Sequence, residues 1–138
     1  MMRALIAEDN AVNRELLREL LEARAFDVSE ACDGEEALEM IARERPDVLL
    51  LDLGMPKLDG FGVLRKIRES TQLADMPVLA VTAYAMRGDR EKALDAGFDG
   101  YVSKPIDAVL LDQELDRVLA SRREGASKGL KGGDGQPS

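Results

Sequence analysis

Val48-Leu49-Leu50-Leu51 is an unbroken run of large aliphatic residues, and Asp52 ends it. A short run without polar alternation reads as a strand buried on both faces, the pattern of central strands in parallel sheets. Three other runs share this form. Arg3–Ala7 leads into Glu8-Asp9, Val78–Val81 into Thr82, and Tyr101–Ser103 into Lys104. A weaker strand is read at Asp27–Ala31, where Val28 is the only strong strand former.

Helical spacing separates the strands. Val12, Leu16, Leu17, Leu20 and Leu21 form a first apolar stripe, with Arg14, Glu15, Arg18, Glu19 and Glu22 on the opposite face. Asp33 stands three residues before Glu36, which resembles a capping box opening a helix over Glu35–Arg45. Ala37, Leu38, Ile41 and Ala42 are its stripe, and Pro46 closes it. Asp59-Gly60 opens the next helix, with Phe61, Leu64 and Ile67 inward. Arg87–Ala96 is a short helix stopped by Gly97. Asp107–Arg122 is the last, with Leu111, Leu115, Val118 and Leu119 along one side.

Strict alternation of strand and helix predicts an α/β fold: a parallel five-stranded sheet, doubly wound, with helices on both faces as a three-layer sandwich. At 138 residues there is room for one core. With 4% aromatic residues and no Trp, that core is aliphatic. Gly125–Ser138 is Gly-rich and cannot bury enough surface to offset its ordering entropy. The expected division is a domain over 1–122 and a flexible tail over 123–138.

In such a sheet the strand-end polar residues share the carboxyl edge, where open α/β sheets bind ligands. Three carboxylates, Glu8, Asp9 and Asp52, would meet there with the Thr82 hydroxyl and the Lys104 ammonium. Crowded carboxylates repel, and a cation relieves them. Hard oxygen donors without His or thiol favour Mg²⁺. Asp52 can act as a nucleophile toward phosphorus or as a metal ligand only. Glu8 and Asp9 can equally serve a helix N-terminus, Thr82 can be an ordinary strand residue, and Lys104 can be a solvated charge. Pro105 makes Lys104–Pro105 the place to expect a cis peptide.

A net charge of −8, its acidity concentrated ahead of residue 121, argues against direct nucleic-acid binding. Cys32 is the only cysteine, so no internal disulfide forms; it reads as a small residue packed near a strand end. No apolar run reaches the ~20 residues of a membrane span, and none near the N-terminus fits a signal peptide. A cytoplasmic location without membrane attachment is expected.

The set Glu8-Asp9, Asp52-Leu53-Gly54-Met55-Pro56, Thr82-Ala83 and Lys104-Pro105 resembles the receiver domain of two-component response regulators, over residues 3 to about 120. Ala7-Glu8-Asp9-Asn10 and Val81-Thr82-Ala83-Tyr84-Ala85-Met86 are most similar to single-domain regulators of the CheY and DivK kind. The resemblance implies the strand order 2-1-3-4-5. It implies Asp52 as phosphoacceptor, fed by a phosphohistidine on a sensor histidine kinase or histidine phosphotransfer protein. It implies Mg²⁺ held by Asp9 and Asp52, by Glu8 mainly through water, and by the Gly54 backbone carbonyl. Thr82 and Lys104 would hold the phosphoryl group, and Tyr101 falls where the family keeps a switch aromatic. The chain would not be an enzyme in the ordinary sense, beyond assisting phosphotransfer and dephosphorylation at Asp52. Its output would be protein contact through the face of the fourth helix, fifth strand and fifth helix, with a downstream protein or a second copy.

Two departures concern the mouth of the site. Gly54 is unusually small, which opens it, and Tyr84 is bulky, which shields it. The rival readings are a receiver cut from a larger regulator or hybrid kinase, a flavodoxin-like cofactor binder, a phosphohydrolase of the haloacid dehalogenase kind, and a degenerate receiver. Glu8-Asp9-Asn10 would repel a flavin phosphate. The phosphohydrolases carry a second Asp where this chain has Gly54. The complete acceptor set weighs against degeneracy.

Overall fold

The unbroken aliphatic run becomes the middle of the sheet. In the computed structural model, which describes residues 1–83 and 88–132, five strands and five helices alternate. They are β1 (Arg3–Ala7), α1 (Ala11–Glu22), β2 (Asp27–Ala31), α2 (Gly34–Arg43) and β3 (Val48–Asp52), then α3 (Gly60–Glu69), β4 (Val78–Thr82), α4 (Asp89–Ala96), β5 (Gly100–Ser103) and α5 (Ala108–Gly132). The sheet order is β2-β1-β3-β4-β5, and every neighbouring pair is parallel. The weak strand β2 takes one edge, and β3 lies at the centre with every residue buried.

Strand periodicity sends alternate side chains to opposite faces. Leu49 and Leu51 of β3 join Leu5, Ala7, Val78 and Ala80 against Ala37, Ile41, Val63, Leu64, Ile67 and Ala93 of α2, α3 and α4. Val48 and Leu50 join Ala4, Ile6, Leu79, Val81 and Val102 against Leu17 and Leu21 of α1 and Leu111, Leu115 and Val118 of α5. The core is aliphatic as composition requires. Phe61 and Phe98 add an aromatic pair, edge to face with centroids 5.7 Å apart.

Several local expectations need correction. On α1 only Leu17 and Leu21 are buried, with Leu20 packed beside them; Val12 is 76% exposed and Leu16 lies at the surface. An amphipathic stripe can be wider than the strip a sheet covers. Ala42 is exposed too, and Met40 packs on the core in its place. Asp33 caps α2, accepting from the Glu36 N–H at 2.8 Å, but Glu36 Oε1 reaches back to the Cys32 N–H at 2.7 Å rather than to the cap residue itself. Cys32 is exposed, not packed.

Helix α5 continues past Arg122 to Gly132. Once a helix is templated by packing, propagation is cheap, and Ala120-Ser121-Arg122-Arg123-Glu124 holds good helix formers and no Pro. Residues 133–138 of the expected tail lie outside the described residues, as do Tyr84, Ala85, Met86 and Arg87. Helix α4 begins at Asp89 and ends at Gly97, whose φ of 116° suits glycine. Among the described residues no helix is long and apolar enough to cross a membrane.

Candidate functional site

Parallel register brings four strand ends to one edge. Ala7 pairs with Leu51, Asp52 with Val81, and Thr82 with Ser103. Glu8 and Asp9 therefore leave β1 beside Asp52 on β3, and Thr82 leaves β4 beside the Ser103-Lys104 end of β5. Glu8, Asp52 and Thr82 are buried, and Asp9 is exposed. One carboxylate oxygen from each of Glu8, Asp9 and Asp52 lies within 4.8 Å of the others.

Lys104 reaches into this cluster. Its Nζ is 2.7 Å from Glu8 Oε1 and 3.6 Å from Asp52 Oδ2. The Glu8 contact is a close, buried ion pair, and a carboxylate oxygen with one cationic neighbour keeps lone-pair capacity. The other Glu8 oxygen accepts from the Asn10 N–H at 3.0 Å. Burial pushes the Glu8 carboxyl up; the Lys104 ammonium and the Asn10 N–H pull it back only in part, and Asp52 adds repulsion. Glu8 thus does some work at the start of α1, but its buried charge faces Lys104 and Asp52.

The segments around the site are locally fixed. Asn10 caps α1 through the Asn13 N–H at 2.9 Å. Asp52 Oδ1 accepts from the Gly54 N–H at 3.1 Å, which turns the chain sharply after β3. Gly60 packs on that turn: a Cβ there would sit 2.7 Å from the Asp52 carbonyl oxygen. The Lys104 N–H donates to the Thr82 carbonyl at 2.7 Å, tying the two strand ends together, and the Lys104–Pro105 peptide is cis.

Tyr101 lies half-buried on β5, away from the carboxylate cluster. It packs against the α2-α3-α4 side of the core. Its N–H donates to Glu114 Oε2 at 2.9 Å. Glu114 also pairs with Arg117 at 2.9 Å and with Arg90 at 3.4 Å, so α4, β5 and α5 meet around one carboxylate. Burial raises that carboxyl, and the surrounding donors more than reverse it. A groove between these elements is lined by Arg90, Tyr101, Val102, Leu110 and Glu114.

Sequence reading missed one residue beside the site. Arg14, assigned there to the polar face of α1, bonds the backbone carbonyls of Glu8 and Asp9. The only signal was an arginine in the first turn of a helix, where acids are the favoured charge.

The donor set fits a hard divalent cation: three carboxylates converge at one edge, and all the donors are oxygens. With a lysine and a hydroxyl at the same edge, the arrangement can hold a cation, a phosphoryl group and a nucleophilic carboxylate together.

The model for the response regulator receiver domain family matches residues 4–116. The polar-differentiation response regulator DivK of Brucella anthropi is 39% identical over 102 residues, covering 74% of this chain and 83% of that protein. Response regulator PleD of Caulobacter vibrioides is 43% identical over 109 residues, covering 79% of this chain but only 24% of PleD. A putative response regulator from Chloroflexus aurantiacus superposes with a TM-score of 0.82 at 28% identity, covering 86% of this chain and 98% of that one. The receiver domain of sensor histidine kinase PA1611 from Pseudomonas aeruginosa, solved with a magnesium ion coordinated in its active-site cleft, gives 0.79 at 34% identity with the same coverage. The chain belongs to the response regulator receiver domain family, the signalling switches of two-component systems.

Proposed function

We propose that Asp52 is the phosphoacceptor of this switch. The observation that carries the reading is the convergence of Glu8, Asp9 and Asp52 within 4.8 Å, with Lys104 Nζ 3.6 Å from the Asp52 carboxylate. An Asp52 oxygen attacks the phosphorus of a phosphohistidine held by a sensor histidine kinase or histidine phosphotransfer protein. The P–N bond breaks, the imidazole nitrogen keeps the electron pair, and an acyl phosphate forms. Attack by water later returns the carboxylate and inorganic phosphate. In this sense the chain assists its own phosphotransfer and dephosphorylation without being a turnover enzyme.

Asp9, Asp52, the Gly54 carbonyl and, through water, Glu8 would hold Mg²⁺. Held there, the ion would supply positive charge to offset that of the phosphoryl group. The Lys104 ammonium balances charge at the acceptor, and Thr82 donates its hydroxyl to a phosphoryl oxygen. Thr82 and Lys104 are joined through their backbones at 2.7 Å, so a pull on one moves the other. A phosphoryl group thereby biases the end of β4, and Tyr101 on neighbouring β5 follows. The face made by α4, β5 and α5 then presents a different surface to a downstream protein or to a second copy.

A cytoplasmic setting suits a histidine-kinase donor; the expected boundary at residue 122 falls inside α5, which runs on to Gly132. The similarity to 24% of PleD and to 7% of hybrid signal transduction histidine kinase I from Dictyostelium discoideum supports a second reading, that the same domain serves within a larger regulator.

The switch is tested by hydrogen exchange with Mg²⁺ and beryllofluoride, an acyl-phosphate mimic. The reading expects altered protection across α4, β5 and α5 in the wild-type chain and none in Asp52→Asn. Unaltered protection in the wild type would count against it.

A further inference from the structure

We propose that Arg14 is a positioning residue that sets the backbone of Glu8 and Asp9 for a divalent cation; this rests on the metal reading above. Its Nη1 donates to the Glu8 carbonyl at 2.9 Å and to the Asp9 carbonyl at 3.2 Å. Its Nε meets Glu30 Oε1 on β2 at 3.3 Å. Arg18, one turn along α1, takes the other Glu30 oxygen and donates to the Val28 carbonyl at 3.2 Å. Glu30 is thus clasped by two arginines of one helix. Arg14 is thereby anchored to the neighbouring strand before it reaches the acidic segment.

The guanidinium touches peptide oxygens and leaves the carboxylates to a ligand. Nη1 serves two adjacent carbonyls while Nε serves a carboxylate, so the donors are spread over two nitrogens of one rigid plane, whereas an ammonium offers a single flexible nitrogen. The need follows from the cation. Mg²⁺ demands nearly octahedral geometry at about 2.0–2.1 Å, and supporting residues hold such a site to about 0.5 Å. Asp9, the exposed member of the cluster, belongs to the short link between β1 and α1 whose carbonyls Arg14 gathers.

Charge and position make opposite predictions. As a mere positive charge near the carboxylates, Arg14 opposes cation binding, so removing it should tighten Mg²⁺. As a positioning group, its loss should weaken Mg²⁺ despite the more negative surroundings.

The test is calorimetric Mg²⁺ titration of the full chain, wild type against Arg14→Ala and Arg14→Lys, with Mg²⁺-induced shifts of the melting temperature alongside. The proposal expects Arg14→Ala to weaken Mg²⁺ about tenfold, and Arg14→Lys to weaken it about three- to tenfold although its charge is kept. Tighter or unchanged binding in Arg14→Ala overturns it. Should that variant fail to fold, wild-type affinity in Arg14→Lys overturns it. If the wild-type chain itself binds no Mg²⁺, the metal reading fails first and this inference with it. If the wild type binds and the variants match it, only this inference fails.

Discussion

Lys104 stands 2.7 Å from Glu8, nearer than its 3.6 Å approach to Asp52. The ammonium is therefore shared between two carboxylates, and a phosphoryl group on Asp52 would compete with Glu8 for it. Lys104→Met removes the counter-ion of a carboxyl that burial already pushes up. The folded state should lose about 3 kcal/mol in denaturation without divalent cation. Mg²⁺, relieved of a rival cation, should bind at least severalfold tighter by calorimetry. Weaker Mg²⁺ binding would mean that Lys104 does not compete for these carboxylates.

Glu30 gives a pH dependence with a definite sign. The Arg18 hydrogen bond, helped by Arg14, holds its carboxyl below the usual value of 4.5. A group lowered in the folded state contributes stability above its unfolded value, and that contribution is lost as pH falls through the folded value. Glu30→Gln should be less stable than wild type at neutral pH, and the gap should narrow on acidification below 4.5. Urea denaturation at stepped pH measures it, and a gap that widens toward acid would refute the assignment.

Gly60 is needed for close approach. A Cβ there would meet the Asp52 carbonyl oxygen at 2.7 Å and Leu53 Cα at 2.8 Å, both backbone atoms that cannot swing aside. Gly60→Ala should cost about 1–3 kcal/mol and slow phosphorylation of Asp52 by acetyl phosphate, because the strain falls on the acceptor's own turn. Thermal melting and the rate of adduct formation report the two effects, and a variant unchanged in both would show that the turn yields freely.

Substitution of Thr82 should separate occupancy from response. A hydrogen bond to a charged group contributes about 1.5–3 kcal/mol, so Thr82→Ala should lose about tenfold or more of the bias toward the switched state. Asp52 should still take up phosphorus, while beryllofluoride no longer alters exchange across α4, β5 and α5. Thr82→Ser keeps the hydroxyl and should restore the response.

Much of this was legible in the chain. The uninterrupted Val48–Leu51 run named the central strand, and strict alternation named the layers, because burial on two faces leaves a strand no polar position. The polar residue closing each run located the edge, since parallel register brings such ends together. Helix faces were less legible. Val12, Leu16 and Ala42 fit the helical period yet stay at the surface, because period fixes the side of a helix and not the width the sheet covers. Arg14 was illegible for another reason. Its partners are backbone carbonyls, which leave no mark in a sequence, and a polar-face arginine looks the same whether it meets water or a loop.

The central claim is that Asp52 takes phosphorus. Intact mass after incubation with Mg²⁺ and acetyl phosphate, followed by peptide mapping, tests it with Asp52→Asn in parallel. The account predicts one phosphoryl group on the peptide containing Asp52, absent from the variant and from samples without Mg²⁺. No adduct on the wild-type chain, or an adduct that survives Asp52→Asn, contradicts it.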